Sequence, residues 1–528
     1  MPLSASPAAT NSDTPIFDNL GSLHHPITTT VPLAQQYFDQ GLRLAYAFNH
    51  EEAINSFEQA VKLDPQAAMA YWGIGLALGP NINAAMSPAD GRRAYAAVQK
   101  AKELAERVTP HEKAYIEALS KRYSLNAKAK RAKLDEAYAK AMRAVAAAYP
   151  EDADAATLFA EALMDLHPWN YWTPEGRPRP WAEEIVATLE GVLNRNPDHP
   201  GACHYYIHAV EASLDPGRAL PCAMRLPDLM PGAGHLVHMP AHIYMRTGRY
   251  HEAAERNEHA SAVDHDYLEH RHLTGIYPTN YYPHNRHFLW AVLIMEGRSA
   301  DAIRVGRELA AAVPVEVLGK DPGPEVFLST AMLALARFGR WDEILKEPPP
   351  PRKLRFSTGM WRFTRGLALT STGRFGGGEG ERRSLVQLIK QFPKGGTAEA
   401  QNRRRLLQIA ERVLAGELAT RRARYDDAVR AFKEALRLES ALPYMEPPLW
   451  YQPVRHNLGA ALLAANRPVE AERVYREDLV QHPENGWALY GLAASLKAQN
   501  KAGEAAAIEE RFKQAWARAD VALTASRF

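Results

Sequence analysis

Apolar and small residues recur with helical spacing through most of this 528-residue chain. In residues 34–65, Gly41 and Ala53 stand where two antiparallel helices would approach closely, and Phe57 stands where a large side chain would fill the gap. Pro65 would end the second helix, because proline lacks the N–H that a helix interior needs. The pattern predicts a helix hairpin. One hairpin cannot bury its apolar face alone, so it must stack on neighbours.

The same spacing returns further along, in repeats that begin near residues 200, 234 and 283 and in two copies marked by Gly416 and Gly459. The pattern resembles the tetratricopeptide repeat superfamily. The chain also looks like a bacterial group of long tetratricopeptide proteins with an LHHP segment near the N-terminus, here residues 23–26. The resemblance implies an all-α fold, a right-handed superhelical solenoid of helix hairpins with irregular inserts.

Proline-rich and glycine-rich stretches interrupt this array. Pro168–Pro180, Pro348–Pro351 and Gly376–Gly378 are each predicted to break regular helix. The predicted organisation is a flexible N-terminal segment over 1–30, an N-terminal repeat array with a metal site over 31–310, an irregular helical middle section over 311–404 and a C-terminal repeat array over 405–528.

Histidines occupy one face of three consecutive predicted first helices. In the superfamily that the chain resembles, positions 2, 5 and 9 of the first helix line the concave groove of the solenoid. At the chain-wide frequency of 20 histidines in 528 residues, the nine such positions would hold about 0.3 histidines. They hold seven: His235 and the six that we predict as ligands, namely His204, His208, His238, His242, His284 and His287.

The spacing of these histidines suits a transition metal. Residues four apart share a helix face, as in the pairs His204/His208 and His238/His242. Neighbouring helices pack about 8–10 Å apart, so imidazoles from successive first helices can converge on one ion. We therefore predict a site for one or two ions of Zn, Cu, Fe or Mn, because its ligands are imidazoles and carboxylates and not thiolates.

Two carboxylates accompany the histidines. Glu211 continues the face of His204 and His208, and Glu161 falls at a groove position one repeat earlier. Each is a candidate metal ligand or general base, so we predict both as catalytic residues. The sequence leaves open whether further histidines join the site, namely His24, His25, His50, His235 and His456.

The surplus of ligands favours a metal-dependent enzyme that acts on a small molecule in the groove, by oxidation or hydrolysis. A scaffold that binds a peptide or partner protein through the groove, and a metal-storage or delivery protein, are the alternatives. Chaperone-type tetratricopeptide grooves clamp a carboxylate with Lys, Asn and Arg. Here the first repeat has Gln35, Phe38, Asp39 and Leu42 instead, which disfavours such a clamp.

Composition narrows the class of partner. Lys plus Arg total 63 against 61 for Asp plus Glu, which disfavours a nucleic-acid partner. The two cysteines exclude a disulfide framework. An apolar run of membrane-spanning length and a signal-peptide pattern at the N-terminus are both missing from the sequence, so we expect no membrane association and a cytoplasmic location.

Overall fold

The computed structural model describes residues 14–126, 128–271, 277–313, 318 and 323–528. The chain forms two compact units: unit 1 comprises Met1–Pro240 with Ala262–Tyr282, and unit 2 comprises Ala241–Ser261 with Pro283–Phe528. The boundaries of these two units differ from the predicted boundaries, which are 31–310, 311–404 and 405–528. The predicted boundaries separate runs of repeats, which is a different division of the chain, and they stay predictions.

Helices and short turns account for the regular structure of the described residues, where the β-type contacts are isolated bridges at Asn81/Ala84 and Trp172/Pro178. The prediction of an all-α fold built from helix hairpins is confirmed. The helices up to residue 238 are α1 (Pro32–Tyr46), α2 (His50–Leu63), α3 (Ala68–Ala77), α4 (Pro88–Leu104), α5 (Pro110–Ser120), α6 (Arg131–Ala148), α7 (Ala153–Leu166), α8 (Ala182–Arg195), α9 (Pro200–Val210), α10 (Leu220–Leu229) and α11 (Gly234–His238).

The later helices continue the series, with a π-helical turn at Tyr277–Tyr281 before α14. None of the helices in the described residues is long and apolar enough to cross a membrane. The later helices are α12 (Pro240–Arg246), α13 (Tyr250–His270), α14 (Tyr282–Glu296), α15 (Ser299–Ala312), α16 (Thr330–Arg337), α17 (Trp341–Lys346), α18 (Arg355–Ser371), α19 (Phe375–Lys390), α20 (Ala398–Arg421), α21 (Tyr425–Glu439), α22 (Val454–Ala464), α23 (Pro468–Gln481), α24 (Gly486–Lys497) and α25 (Ala502–Ala515).

The first hairpin packs as its sequence predicts. The ring of Phe57 on α2 lies against Gly41 of α1 and Gly73 of α3, where an added Cβ would come within 2.6 and 2.5 Å of the ring. The missing side chains therefore let three helices close around one aromatic residue. Tyr475 on α23 fills the same position between glycines of α22 and α24 in the late repeats.

The inserts are partly as predicted. Residues 168–180 and 348–351 lie outside helices, whereas Gly376–Gly378 lie inside α19, so the predicted break there is wrong. A Cβ on Gly378 would meet Thr370 Oγ1 at 2.5 Å. The glycines therefore allow α19 to pack closely on α18, and this contact outweighs their low helix propensity.

The segment before α1 differs from the predicted flexible stretch over 1–30. Residues 1–13 lie outside the described residues, but residues 14–31 are held against unit 1. Thr28 donates a hydrogen bond from its backbone N–H to Glu112 Oε1 at 2.6 Å, and the His25 backbone N–H donates to Asp39 Oδ1 at 3.0 Å. We call residues 14–31 the N-terminal strap.

Candidate metal centre

Helix α9 presents two buried imidazoles on one face. His204 and His208 are 0% and 3% exposed. The helix begins where His199 Nδ1 accepts a hydrogen bond from the Ala202 N–H at 3.1 Å, with Pro200 in its first turn. Because proline is favoured there and the cap satisfies a free N–H, the sequence fixes this start locally. The predicted pairing of the two histidines along a helix face is therefore present.

A third imidazole comes from α11. His235, 2% exposed, places its Nε2 atom 3.2 Å from Nε2 of His204. One nitrogen from each of His204, His208 and His235 lies within 4.8 Å of the other two. Two nitrogens bound to one tetrahedral zinc ion at 2.0–2.1 Å would be about 3.3 Å apart. We call these three residues the histidine cluster; the 3.2 Å separation of His204 and His235 is close to that spacing.

Two rings of the cluster are oriented through their Nδ1 atoms. His204 Nδ1 lies 2.6 Å from the Tyr46 carbonyl oxygen, and His208 Nδ1 lies 2.8 Å from Glu211 Oε1. Carbonyl and carboxylate oxygens accept from imidazole N–H, so these contacts place the proton on Nδ1. The Nε2 atom is then the nitrogen without a proton, and a similar contact at Nδ1 is common for histidines that bind metals through Nε2. Glu211 thus contacts His208, and its predicted catalytic role stays a prediction.

Aromatic rings surround the cluster. The Phe48 ring centroid lies 4.5 Å from that of His204 and 5.7 Å from that of His235. The Trp169 ring, from the insert at 168–180, lies 5.0 Å from the His208 ring. These rings give the buried cluster apolar surroundings, where electrostatic interactions are stronger than in water.

His235, which the sequence left open, joins His204 and His208, and the role of His238 as a ligand stays a prediction. The sequence predicted His238 as a ligand and left His235 open, but it is His235 that meets His204, while the His238 ring centroid lies 5.9 Å from that of His235. His235 occupies position 2 of its repeat, a groove position that also holds the predicted ligand His284. This shared position in the repeat was the feature of the sequence that indicated His235 as a member of the site.

The other predicted ligands belong to unit 2. His242 and His284 stack with ring centroids 5.8 Å apart, and the His287 ring stacks on Trp290 at 5.3 Å. Burial lowers the pKa of His242 to about 3 and that of His287 to about 4. The pKa of His284 is also well below its ordinary value, first because of burial and then because positive charge on His242 or His287 would repel a proton on His284. All three are therefore neutral near pH 7, the form that binds metals. Convergence of all six predicted histidines on one site stays a prediction.

Glu161 is linked to the cluster through Tyr205, with which it forms a hydrogen bond. Burial raises its pKa to about 7, although the charge of Arg122 and a hydrogen bond with Tyr205 oppose the rise. The Tyr205 ring lies 5.3 Å from the His204 ring. A carboxyl with a pKa near neutrality can exchange protons at physiological pH. Its role as a general base stays a prediction.

A second buried network involves the N-terminal strap. His25 Nδ1 and His199 Nε2 lie 2.8 and 3.1 Å from the two carboxylate oxygens of Asp154, and the Tyr46 hydroxyl donates to Asp154 Oδ1 at 2.6 Å. Tyr46 thereby links this network to His204 through its carbonyl oxygen. The sequence did not predict Asp154, His199 or Tyr46 as partners, because no local spacing joins them.

The remaining histidines left open by the sequence have other partners. His24 Nδ1 lies 2.7 Å from Asp39 Oδ2, and His50 begins α2, where burial lowers its pKa to about 4. His456 in unit 2 lies 2.9 Å from an Arg337 nitrogen and 3.0 Å from Asp478 Oδ2.

These features define a helical-repeat protein with a buried group of imidazoles in one of its units. Residues 49–79, which span α2 and α3, match the family model described as "TPR repeat". The chain therefore contains the tetratricopeptide repeat that its sequence resembles. The likeness to a bacterial group with an LHHP segment stays a prediction. No curated protein matches the chain significantly in sequence.

Several solved helical-repeat structures cover most of the chain at low similarity. The human IFIT1 dimer with m7Gppp-AAAA is 11% identical over 92% of this chain and 91% of that chain, with a TM-score of 0.32. Yeast Tom70 is 12% identical over 91% and 99%, with a TM-score of 0.30. Cut9 with Hcn1, from an APC/C hetero-tetramer, is 12% identical over 92% and 94%, with a TM-score of 0.23. These likenesses are too low to assign a function.

Proposed function

We propose that this tetratricopeptide-type protein binds a transition-metal ion at the histidine cluster. One observation carries the proposal: nitrogens of His204, His208 and His235 lie within 4.8 Å of one another. The Nδ1 contacts of His204 and His208 add support, because they orient the rings before an ion arrives. Preformed ligands reduce the ordering cost of binding.

The donor set favours a metal of intermediate softness. Zinc, copper and iron bind imidazole well, and manganese accepts imidazole together with carboxylate. The chain's two cysteines contact each other: the hydrogen bond with Cys222, and then burial, raise the pKa of Cys203 and keep its thiol protonated. A thiolate ligand is therefore not part of the proposal.

A metal-dependent enzyme acting on a small molecule is the more specific form of this proposal. Three histidine ligands leave a fourth position on a tetrahedral ion, where a bound water can become a nucleophile near neutral pH. Trp169 covers His208 and restricts access of bulk water. Glu161 holds or releases a proton near pH 7.

Metal analysis tests the proposal. Protein purified without an affinity tag, then loaded with Zn²⁺ and desalted, is expected to retain about one equivalent per chain at the cluster. The double variant His208→Ala/His235→Ala is expected to lose that equivalent. The matched control is His265→Ala, which removes a histidine with a 64% exposed side chain on α13. A folded wild type that retains no metal, or a double variant that retains it in full, would contradict the proposal.

Cobalt substitution separates an open site from a closed one. The visible spectrum of Co²⁺ reports its ligands, so azide added to the Co²⁺-loaded protein changes the spectrum where a coordination position is exchangeable. A spectral change supports the enzyme, because a substrate needs such a position. An unchanged spectrum indicates a closed site and supports storage or a structural role.

A scaffold that binds a polypeptide is the second candidate, and the tetratricopeptide match at residues 49–79 favours it. The first helices of such repeats expose a groove for a partner chain. Selection of a random peptide library on the full chain tests it. Reproducible enrichment of a sequence motif supports a scaffold, and no enrichment on either the folded full chain or a folded variant with alanine at residues 526–528 contradicts it.

A further inference from the structure

The chain after α25 lies along unit 2 without forming a helix. Asp520 accepts hydrogen bonds from the backbone N–H groups of Ser299 and Ala300, at 2.7 and 2.9 Å, and so caps the start of α15. The Trp516 indole N–H donates to the Val521 carbonyl oxygen at 2.7 Å. These contacts fix the beginning of the segment and direct its last residues along the unit.

The last three residues each make a different kind of contact. The Ser526 hydroxyl donates to the His456 carbonyl oxygen at 2.8 Å. Arg527 lies 3.0 Å from Glu417 Oε2, with side chains that are only 11% and 7% exposed. Ser526 is 1% exposed, so this end of the chain is seated in unit 2 and does not simply rest on its surface.

Phe528 completes the set with an aromatic contact. Its ring meets the Trp487 ring edge to face, with centroids 5.8 Å apart. Its Cβ lies 3.0 Å from the place where Gly339 would carry a Cβ, so the absence of a side chain at Gly339 leaves space for the phenylalanine. The Arg337 guanidinium lies 3.4 Å from the centroid of the Trp487 ring.

The receiving residues stand on the first helices of successive hairpins. Glu417 is on α20, His456 on α22 and Trp487 on α24, while Gly339 follows α16. Together they present an anionic group, a backbone acceptor and an aromatic wall. We call these four residues, with Tyr475, the Glu417 groove.

Tyr475 shows that a packing position has been adapted to this contact. The corresponding position in the first repeat is Phe57, and in the α20/α21 hairpin it is Phe432, each packed on glycine. Tyr475 packs on Gly459 and Gly491 in the same way, but its hydroxyl lies 2.7 Å from Ser526 Oγ. The additional oxygen serves the contact with the segment, because the packing itself needs only the ring.

We propose that the Glu417 groove recognises an extended polypeptide segment with a serine, an arginine and an aromatic residue in succession, and that residues 526–528 occupy it within the chain. A partner polypeptide with this pattern binds by displacing them. The inference rests on the scaffold function proposed above and is independent of the metal site.

The arrangement has a consequence for affinity. A tethered segment has a high effective concentration, on the order of millimolar for a short linker, and competes with any partner in solution. The groove of the intact chain therefore binds a free peptide weakly. Removing the contacts of residues 526–528 unmasks it.

Fluorescence anisotropy tests the proposal with an amidated, fluorescein-labelled peptide of residues 517–528. The amide removes any contribution of a free carboxylate. The full-length variant Ser526→Ala/Arg527→Ala/Phe528→Ala is expected to bind this peptide at least about tenfold more tightly than the wild type. Equal binding by the two proteins, with unchanged helical signal, would overturn the proposal.

Charge exchange tests the recognition of arginine. In the unmasked variant, Glu417→Arg is expected to abolish binding of the peptide, and a peptide with Arg527→Glu is expected to restore it. Glu434→Gln, an exposed glutamate on the neighbouring helix α21, is the matched control and is expected to change nothing. Tyr475→Phe keeps the packing ring and is expected to weaken binding about fivefold, the effect of one neutral hydrogen bond. Failure of the exchanged pair to bind would overturn the role of Glu417.

The library selection proposed above distinguishes this inference from the scaffold function. Enrichment of arginine followed by an aromatic residue on the unmasked variant supports both. Enrichment of an unrelated motif leaves the scaffold function standing and overturns the inference. No enrichment on either protein contradicts both.

Discussion

The histidine cluster of unit 1 and His456 of unit 2 are both buried but have different kinds of neighbours. In unit 1, the nitrogens of His204, His208 and His235 approach one another, with the first two rings oriented by an oxygen at Nδ1. In unit 2, the His456 ring is hydrogen-bonded to Arg337 through Nδ1 and to Asp478 through Nε2. Burial is the same, but the partners differ. A histidine bonded on both sides by fixed side chains cross-links helices, whereas imidazoles that converge form a potential ligand set.

The largest expected effect comes from removing the cross-link. His456→Ala is expected to destabilise unit 2 by about 3–5 kcal/mol, because it leaves a cavity and takes a hydrogen-bond partner from both Arg337 and Asp478. Denaturant unfolding measures the loss. Metal content is expected to stay at the wild-type value, and a parallel loss of metal would show that the comparison between the two regions is wrong.

A smaller loss of stability is expected at Tyr46. Tyr46→Phe removes the hydroxyl that donates to Asp154 at 2.6 Å, and a hydrogen bond to a charged group contributes about 1.5–3 kcal/mol. The Tyr46 carbonyl oxygen, which contacts His204, belongs to the backbone and remains. Unfolding measurements are expected to show the loss while elemental analysis shows unchanged metal. Reduced metal would assign the side chain a part in holding the cluster.

Glu211→Gln probes the orientation of His208. The substitution keeps the shape but weakens the contact to Nδ1 at 2.8 Å, and such outer contacts typically change metal affinity 10- to 100-fold, or about 1.4–2.7 kcal/mol. Competition with a chromophoric chelator measures the affinity. The control is Glu183→Gln on α8, an exposed glutamate. Equal affinity in both variants would mean that Glu211 does not orient the ligand.

The smallest effect is expected from pH at the N-terminal strap. Burial opposes the charge on His25, but the hydrogen bond to Asp154 and the charges of Asp154, Asp152 and Asp39 outweigh it and raise the pKa of His25 above 6.5. The rings of His111 and Tyr115 also face it. Because the folded pKa is raised, the stabilisation is complete below the ordinary value and is lost as pH rises through the raised one.

Hydrogen exchange of residues 14–31 measures this effect. Protection beyond the intrinsic pH dependence of exchange is expected to fall over a pH range that begins near the ordinary histidine pKa of 6.5 and extends upward through the raised value. His25→Asn is expected to remove that dependence, while His270→Asn, whose side chain is 74% exposed, is the control. Protection that is the same at both ends of the range would contradict the assigned charge on His25.

Parts of the fold and site followed from local spacing. Gly41 with Phe57 predicted the hairpin, and residues four apart placed His204 and His208 on one face of α9. The predicted helix break at Gly376–Gly378 was wrong. Low helix propensity can be read from the local sequence, but the close packing of α19 on α18, which outweighs it, cannot.

The sequence by itself determined the repeat architecture and the presence of paired histidines, because both depend on contacts within a hairpin or a single helix turn. Only the tertiary structure decided which imidazoles meet: His235 lies 31 residues from His204, and Tyr46 lies 158 residues from it. It also decided that residues 526–528 lie in the Glu417 groove. These contacts join distant parts of the chain, and their geometry depends on how helices stack, which no spacing within one repeat specifies.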